Sequence, residues 1–174
     1  MPIREMTEGE SRSTIPQVAL CRLACTHAGQ PYVVPVFLAP HQSDLYGFSL
    51  AGRKIECMRA NPLVCVDIDD VKSASEWTTL IVFGTYEELP DTREYEATRR
   101  LAHGLLQKRA MWWEPASVEV TNTKQTKMHL PIFYRIRINQ ITGHRAALDP
   151  TSASATPSAQ LGFLKRVLRR TRST

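Results

Sequence analysis

The chain has 174 residues, 43% of them apolar and 22% charged, with a formal net charge of +5. That length suits one domain with a core of its own, and the composition is that of a folded globular protein rather than a disordered one. The positive excess lies beyond Asp149, in Lys165, Arg166, Arg169, Arg170 and Arg172, leaving 17 bases against 17 acids before it; a neutral body lacks the electrostatic footprint of a nucleic-acid binder.

Residues 1–14 are polar and aperiodic, and are expected to form a flexible arm or a short helix. Order begins at Ile15-Pro16 and opens a domain expected to span 15–149. Val18–Thr26 reads as a strand with Cys21, Leu23 and Cys25 facing inward, and Tyr32–Leu38 returns from the turn His27–Gln30 as its hairpin partner. Pro35 has no N–H to give a ladder, so it marks an edge or a bulge. Pro40–Ser43 turns the chain into a third strand, Leu45–Ser49. A small-residue turn, Leu50-Ala51-Gly52, then leads straight into Arg53-Lys54 and a short helix. Its signals are Ile55, Met58 and Arg59 at i, i+3 and i+4, and Asn61-Pro62 as the stop.

Leu63–Asp69 alternates like a strand, a polar connection covers 71–75, and Glu76–Leu89 reads as one long strand. Gly84 marks a bend or a close backbone approach within it. Asp91 as N-cap, with Glu94 three residues later, predicts a helix running to about Lys108. Thr98, Leu101, Ala102, Leu105 and Leu106 form its apolar stripe, and His103 reads as a solvated or packed helix residue. Trp112-Trp113 supply flat apolar surface, suited to a plug, to a dimer seam, or to an indole that reaches a binding site. Val118–Lys127 reads as a loop. Ile132–Ile141 is a strand with Phe133, Arg135, Arg137 and Asn139 on one face and Tyr134, Ile136, Ile138 and Gln140 on the other. Residues 150–160 are a low-complexity linker, and Leu161–Arg172 is a basic amphipathic tail for which contact with an anionic membrane is one option.

The four cysteines, Cys21, Cys25, Cys57 and Cys65, form no CxxC pair and no zinc-ligand spacing, and read as small buried thiols kept reduced. No leader or membrane span is legible, so the expected location is the cytoplasm. The stretch richest in chemistry is Ser49 to Lys54. Two cations sit at the first turn of a helix, where unpaired N–H groups and the helix dipole already favour an anion. Arg53 can bind a phosphate bidentately and Lys54 adds a point charge, with the Ser49 hydroxyl close by.

The order strand, serine, small turn, Gly-Arg-Lys, helix, Asn-Pro, strand resembles the FMN-binding core of the pyridoxamine 5'-phosphate oxidase-like flavoproteins. The likeness spans about residues 15–146 and is nearest the branch that includes nitroimidazole-resistance-like proteins. Pro31–Val36 and Leu80–Gly84 lie where that family places two further flavin-contacting strands. The resemblance implies a mainly β fold: a six-stranded antiparallel split β-barrel of Greek-key type with two or three short helices, forming a homodimer with FMN at the subunit interface. It assigns Arg53, Lys54 and Ser49 to the phosphate, and Val34, Pro35, Val36 and Thr79 to the ring or ribityl chain, with Trp77 beside them. Thr78 stands where some relatives carry an arginine, and His144 or Arg145 closes the strand near the same place.

The function so implied is an FMN-dependent oxidoreductase of a small organic molecule, with no catalytic side chain assigned. No nucleophile triad or metalloprotease motif is present to suggest otherwise. Oxidation of pyridoxamine phosphate itself is disfavoured, because the region that would carry substrate-phosphate residues is here the linker and tail. Two alternatives use the same residues. One is a non-catalytic flavin carrier or redox sensor with a covered ring face. The other is a barrel binding a deazaflavin or haem, for which the five histidines (27, 41, 103, 129 and 144) permit an axial ligand.

Overall fold

The computed structural model describes residues 3–15, 20–107 and 131–147. In chain order they form β1 (Ile3–Met6), α1 (Glu8–Thr14), β2 (Leu20–His27), β3 (Gln30–Phe37), β4 (Ala39–His41), β5 (Asp44–Ser49), α2 (Arg53–Ala60), β6 (Leu63–Ser73), β7 (Glu76–Glu88), α3 (Glu96–Gln107) and β8 (Ile132–Ala146). Every strand pair is antiparallel. The sheet runs β3-β2-β6-β7-β8-β5-β4, with β1 paired to β8 as a branch. This is the mainly β, three-helix architecture of a split barrel. It has eight strands rather than six, because the N-terminal segment and Ala39–His41 each add a short one. Among the described residues the sheet is not closed: its path ends at β3 on one side and β4 on the other.

Period-two alternation builds the core. Cys21, Leu23 and Cys25 of β2, Val64, Val66 and Ile68 of β6, and Leu80 and Val82 of β7 are all at most 5% exposed. They share the inner face with Tyr134 and Ile136 of β8 and with Ile55 and Met58 of α2. The intervening residues point the other way. One rung of that outer face, in register across five strands, is Val33, Ala24, Cys65, Phe83 and Gln140.

A smaller cluster forms where α3 lies over β4 and β5, joining Ala102 and Leu106 to Ala39, Tyr46 and Phe133. It explains a departure from simple alternation in β8. Phe133 shares a face with Arg135 and Arg137, yet it is buried, because α3 covers it and Arg99 lays its guanidinium 5.2 Å from the ring centroid. The two arginines instead converge on Glu87 of β7, which Arg135 meets at 2.9 Å and Arg137 at 2.6 Å.

Two sequence expectations are corrected. Residues 3–14 are not a flexible arm: β1 runs along Gly143–Ala146, and α1 begins with a complete capping box in which Thr7 and Glu10 exchange hydrogen bonds. The second correction concerns α3. Asp91 does not cap it; Pro90–Tyr95 makes turns first, and the helix starts at Glu96. Asp91 instead lies 3.5 Å from Arg99. Gly84 is a point of close backbone approach, as expected, and it coincides with a bulge. Register shifts there against β8, and a Cβ at Gly84 would strike Ile136 and come within 2.7 Å of the Arg137 carbonyl. Trp112, Trp113, His129, the 118–127 segment and the whole 150–174 linker and tail lie outside the described residues. Among the described residues no helix is long and apolar enough to cross a membrane.

Candidate functional site

Helix α2 is fixed at three points. Ile55 and Met58 are fully buried in the core, Arg59 forks onto Glu88 with two bonds of 2.8 Å, and Asn61 ends the helix. The Asn61 side chain donates to Thr26 at 2.9 Å and accepts from the Leu63 amide at 3.2 Å. Its N-terminus is left open. Gly52 is extended there and offers no side-chain cap, and the first intrahelical bond runs from the Glu56 amide to the Gly52 carbonyl. The amides of the first turn before Glu56 therefore lack helical acceptors.

Arg53 and Lys54 flank that open turn, and among the described residues neither has a carboxylate partner. Arg53 is exposed and lies over the Tyr32 ring, 4.8 Å from its centroid. Lys54 is half-buried near Cys25. Its loss of water lowers the ammonium pKa from the ordinary value, and the neighbouring Cys25 partly offsets this. Burial, with the hydrogen bond and charge of Cys57, pushes the Cys25 thiol up to about 11. The Cys25 thiol is therefore protonated at neutral pH. Ser49 is half-buried at the end of β5 and donates to the Leu50 carbonyl at 2.9 Å, leaving its oxygen lone pairs as acceptors. A phosphate ester fits this donor set: backbone amides, one forked cation and one point charge.

The other sequence-predicted residues fall into two groups. Val34, Pro35 and Val36 continue along β3 from Tyr32, the residue over which Arg53 lies. Val34 and Val36 point to the inner face and Pro35 to the outer one. Pro35 lies on an edge strand of the described sheet, where its missing N–H leaves no ladder bond unmade. Trp77 and Thr79 are not brought to the seat. They belong to β7, three strand spacings or about 14 Å across the sheet from β3, on the face opposite Val34 and Val36. Thr78, between them, is buried on the inner face and accepts from Arg145 Nε at 3.1 Å. His144 is exposed beside Thr79.

Two participants escaped the sequence reading. Tyr32 reads as a strand residue, but its role under Arg53 depends on how α2 crosses the β2–β3 hairpin. Cys25 reads as a core residue, and nothing in the sequence signals its proximity to Lys54. Among the described residues no group of three or more His, Cys, Asp or Glu side chains is disposed to hold a metal.

The profile of the pyridoxamine 5'-phosphate oxidase family matches residues 7–145. The chain belongs to that family. A curated relative, an uncharacterized protein of Rhizobium meliloti, is 35% identical over 146 residues, covering 84% of this chain and 97% of the relative. Among solved structures, an FAD-binding protein from Mesorhizobium loti is 36% identical with a TM-score of 0.70, covering 85% of this chain and 99% of its own. Two more distant structures share the fold, each with a TM-score of 0.58. An FAD-binding protein from Mycobacterium smegmatis is 19% identical, over 83% of this chain and 98% of its own. A candidate 5-nitroimidazole antibiotic resistance protein from Bacteroides thetaiotaomicron is 20% identical, over 85% and 93%. The family profile reaches back through α1, so in this member of the pyridoxamine 5'-phosphate oxidase family the N-terminal helix is part of the shared unit.

Proposed function

We propose that this protein binds a flavin nucleotide by its 5'-phosphate at the start of α2 and acts as a flavin-dependent oxidoreductase of a small organic molecule. The observation that carries the reading is the uncapped α2 N-terminus with two cations that meet no carboxylate among the described residues. A phosphate dianion there satisfies the free amides and pairs both charges. It also offsets the desolvation that Lys54 bears in its absence. Arg53 is held in place by Tyr32, so less of its freedom is lost on binding. On this reading the backbone of Val34–Val36, which continues along β3 from Tyr32, would meet the rest of the nucleotide. A bound flavin supplies the electron and hydride transfer; the chain supplies position, charge and exclusion of water.

The seat accounts for one phosphate, which FMN ends in and FAD carries onward to an adenylate. We take FMN as the ligand that this seat accounts for in full. The argument for FAD is the relative from Mesorhizobium loti. We further take the site to be completed by a second copy of the chain, which would bring Trp77 and Thr79 from its outer sheet face. Two features support this: those residues are remote from the seat within one chain, and the outer face carries Val33 and Phe83 at 58% and 46% exposure.

The test is the visible spectrum of the purified protein beside that of Arg53→Ala/Lys54→Ala. Flavin absorption near one per chain, lost in the double variant, is expected. Chromatography of the released cofactor then separates FMN from FAD, and reduction by a nicotinamide donor with a small acceptor present tests turnover. A colourless protein that takes up neither nucleotide would overturn the reading.

A further inference from the structure

The inner face of the sheet changes character at one end. Ile68, Leu80 and Gly143 form a buried rung across β6, β7 and β8; the next rung in the same register is Asp70, Thr78 and Arg145. Beyond it, Lys72 and Glu76 pair at 2.9 Å. These five residues line a cavity of about 320 Å³, within the range of small-molecule sites.

Its charges are balanced but not all paired. Lys72 pairs with Glu76 and also feels, at longer range, the charges of Asp70 and Arg145. Arg145 donates only to hydroxyls, from Nε to Thr78 at 3.1 Å and from Nη2 to Thr14 at 3.4 Å, and meets no carboxylate among the described residues. Asp70 likewise meets no cation within ion-pair distance among them. One strand separates the two, so their backbones are about 10 Å apart. Opposite charges thus face one cavity without reaching each other. An anion alone would meet Arg145 at the expense of facing Asp70, and a cation alone has the reverse difficulty. A molecule carrying both charges satisfies both.

We propose that this cavity binds a small zwitterion of the amino-acid class, its carboxylate on Arg145 and its ammonium on Asp70. The Thr78 hydroxyl accepts from Arg145 and retains its own proton to donate to the carboxylate. Arg53 and Lys54 do not line the cavity, but Trp77 does, so the cavity adjoins the face proposed to meet the partner's flavin.

The experiment is an amide-shift NMR titration of the full chain as purified, with glycine, β-alanine and 4-aminobutyrate, and with acetate and ethylammonium as single-charge controls. At least one amino acid is expected to shift amides of residues 69–79 and 143–147 saturably, at least tenfold more tightly than either control. Arg145→Gln and Asp70→Asn are each expected to weaken it at least tenfold. Arg145→Gln also removes the Thr14 and Thr78 contacts and can disturb the fold; Asp70→Asn breaks no ion pair and keeps the test decisive. The proposal is overturned by no saturable shift with any of the three, by acetate binding as tightly as the best of them, or by undiminished affinity in Asp70→Asn.

Discussion

Arg53 and Lys54 are adjacent in sequence but differ in physics. Arg53 is exposed and braced on an aromatic ring, whereas Lys54 is half-buried and holds its proton less firmly than a free lysine. Affinity for a phosphate ester at this seat therefore falls as pH rises, beginning below the ordinary lysine value of 10.5. A titration of FMN affinity by fluorescence quenching from neutral to alkaline pH is expected to show that decline, and Lys54→Arg to flatten it. The same decline in Lys54→Arg would place the titrating group elsewhere. Gly84 gives a second prediction. Gly84→Ala forces a methyl against Ile136 and the backbone of Arg137, which cannot swing aside as a side-chain tip can. A loss of about 1–3 kcal/mol in denaturant stability is expected; an unchanged midpoint would mean that the bulge relaxes. Residues of this kind were legible in proportion to how local their partners are. The Arg53-Lys54 pair announces itself beside its own helix start. Its brace, Tyr32, does not, and neither does Arg145 across Thr78, because one depends on how α2 crosses the β2–β3 hairpin and the other on strand register, which no short stretch of sequence encodes.

Element interiors were read well and element ends less so. Alternation in β2, β6 and β7 is visible because each buries one face, and the buried residues recur every second position. Ends are decided by single hydrogen bonds with competing solutions. At α3, Asp91 and Glu94 have the right spacing for a capping box, yet turns at Pro90–Tyr95 intervene. At α1 the same signal, Thr7 and Glu10, is real, although the polar segment around it lacks any apolar period. One carboxylate there ties β1 to the start of α1. Glu10 accepts from Arg4 at 2.7 Å and from the Thr7 amide at 2.8 Å, and these bonds, Arg4 first, hold its pKa down at about 2 from 4.5. The folded value is below the unfolded one, so the contribution is complete above about 4.5 and is lost as pH falls through about 2. Acid titration followed by NMR is expected to release β1 and α1 in that window before the central sheet opens. Glu10→Gln is expected to remove the pH dependence; its persistence would assign the titration to another carboxyl.

At the scale of the molecule, the unanswered feature of a single chain is its outer sheet face. Leu20, Val33, Leu63 and Phe83 are each at least 46% exposed there, while the inner face is sealed by β8 and α2. A split sheet that buries only one face has gained only part of the apolar burial open to it, and a second copy placed across this face would recover more. On the proposed two-chain arrangement the same contact delivers Trp77 and Thr79 to the partner's seat, so association and cofactor occupancy rise and fall together. Phe83 tests this without touching the seat, since it lies on β7 four residues beyond Thr79 and contacts neither Arg53 nor Lys54. Phe83→Arg puts an unpaired charge into the centre of the face, and the dimer dissociation constant is expected to rise at least tenfold. Sedimentation measures the association, and absorbance in the same cell measures the bound flavin. Loss of both in step supports a site shared between chains. A monomer that keeps its full flavin would mean that the seat at α2 suffices alone, and that the outer face serves assembly without serving the cofactor.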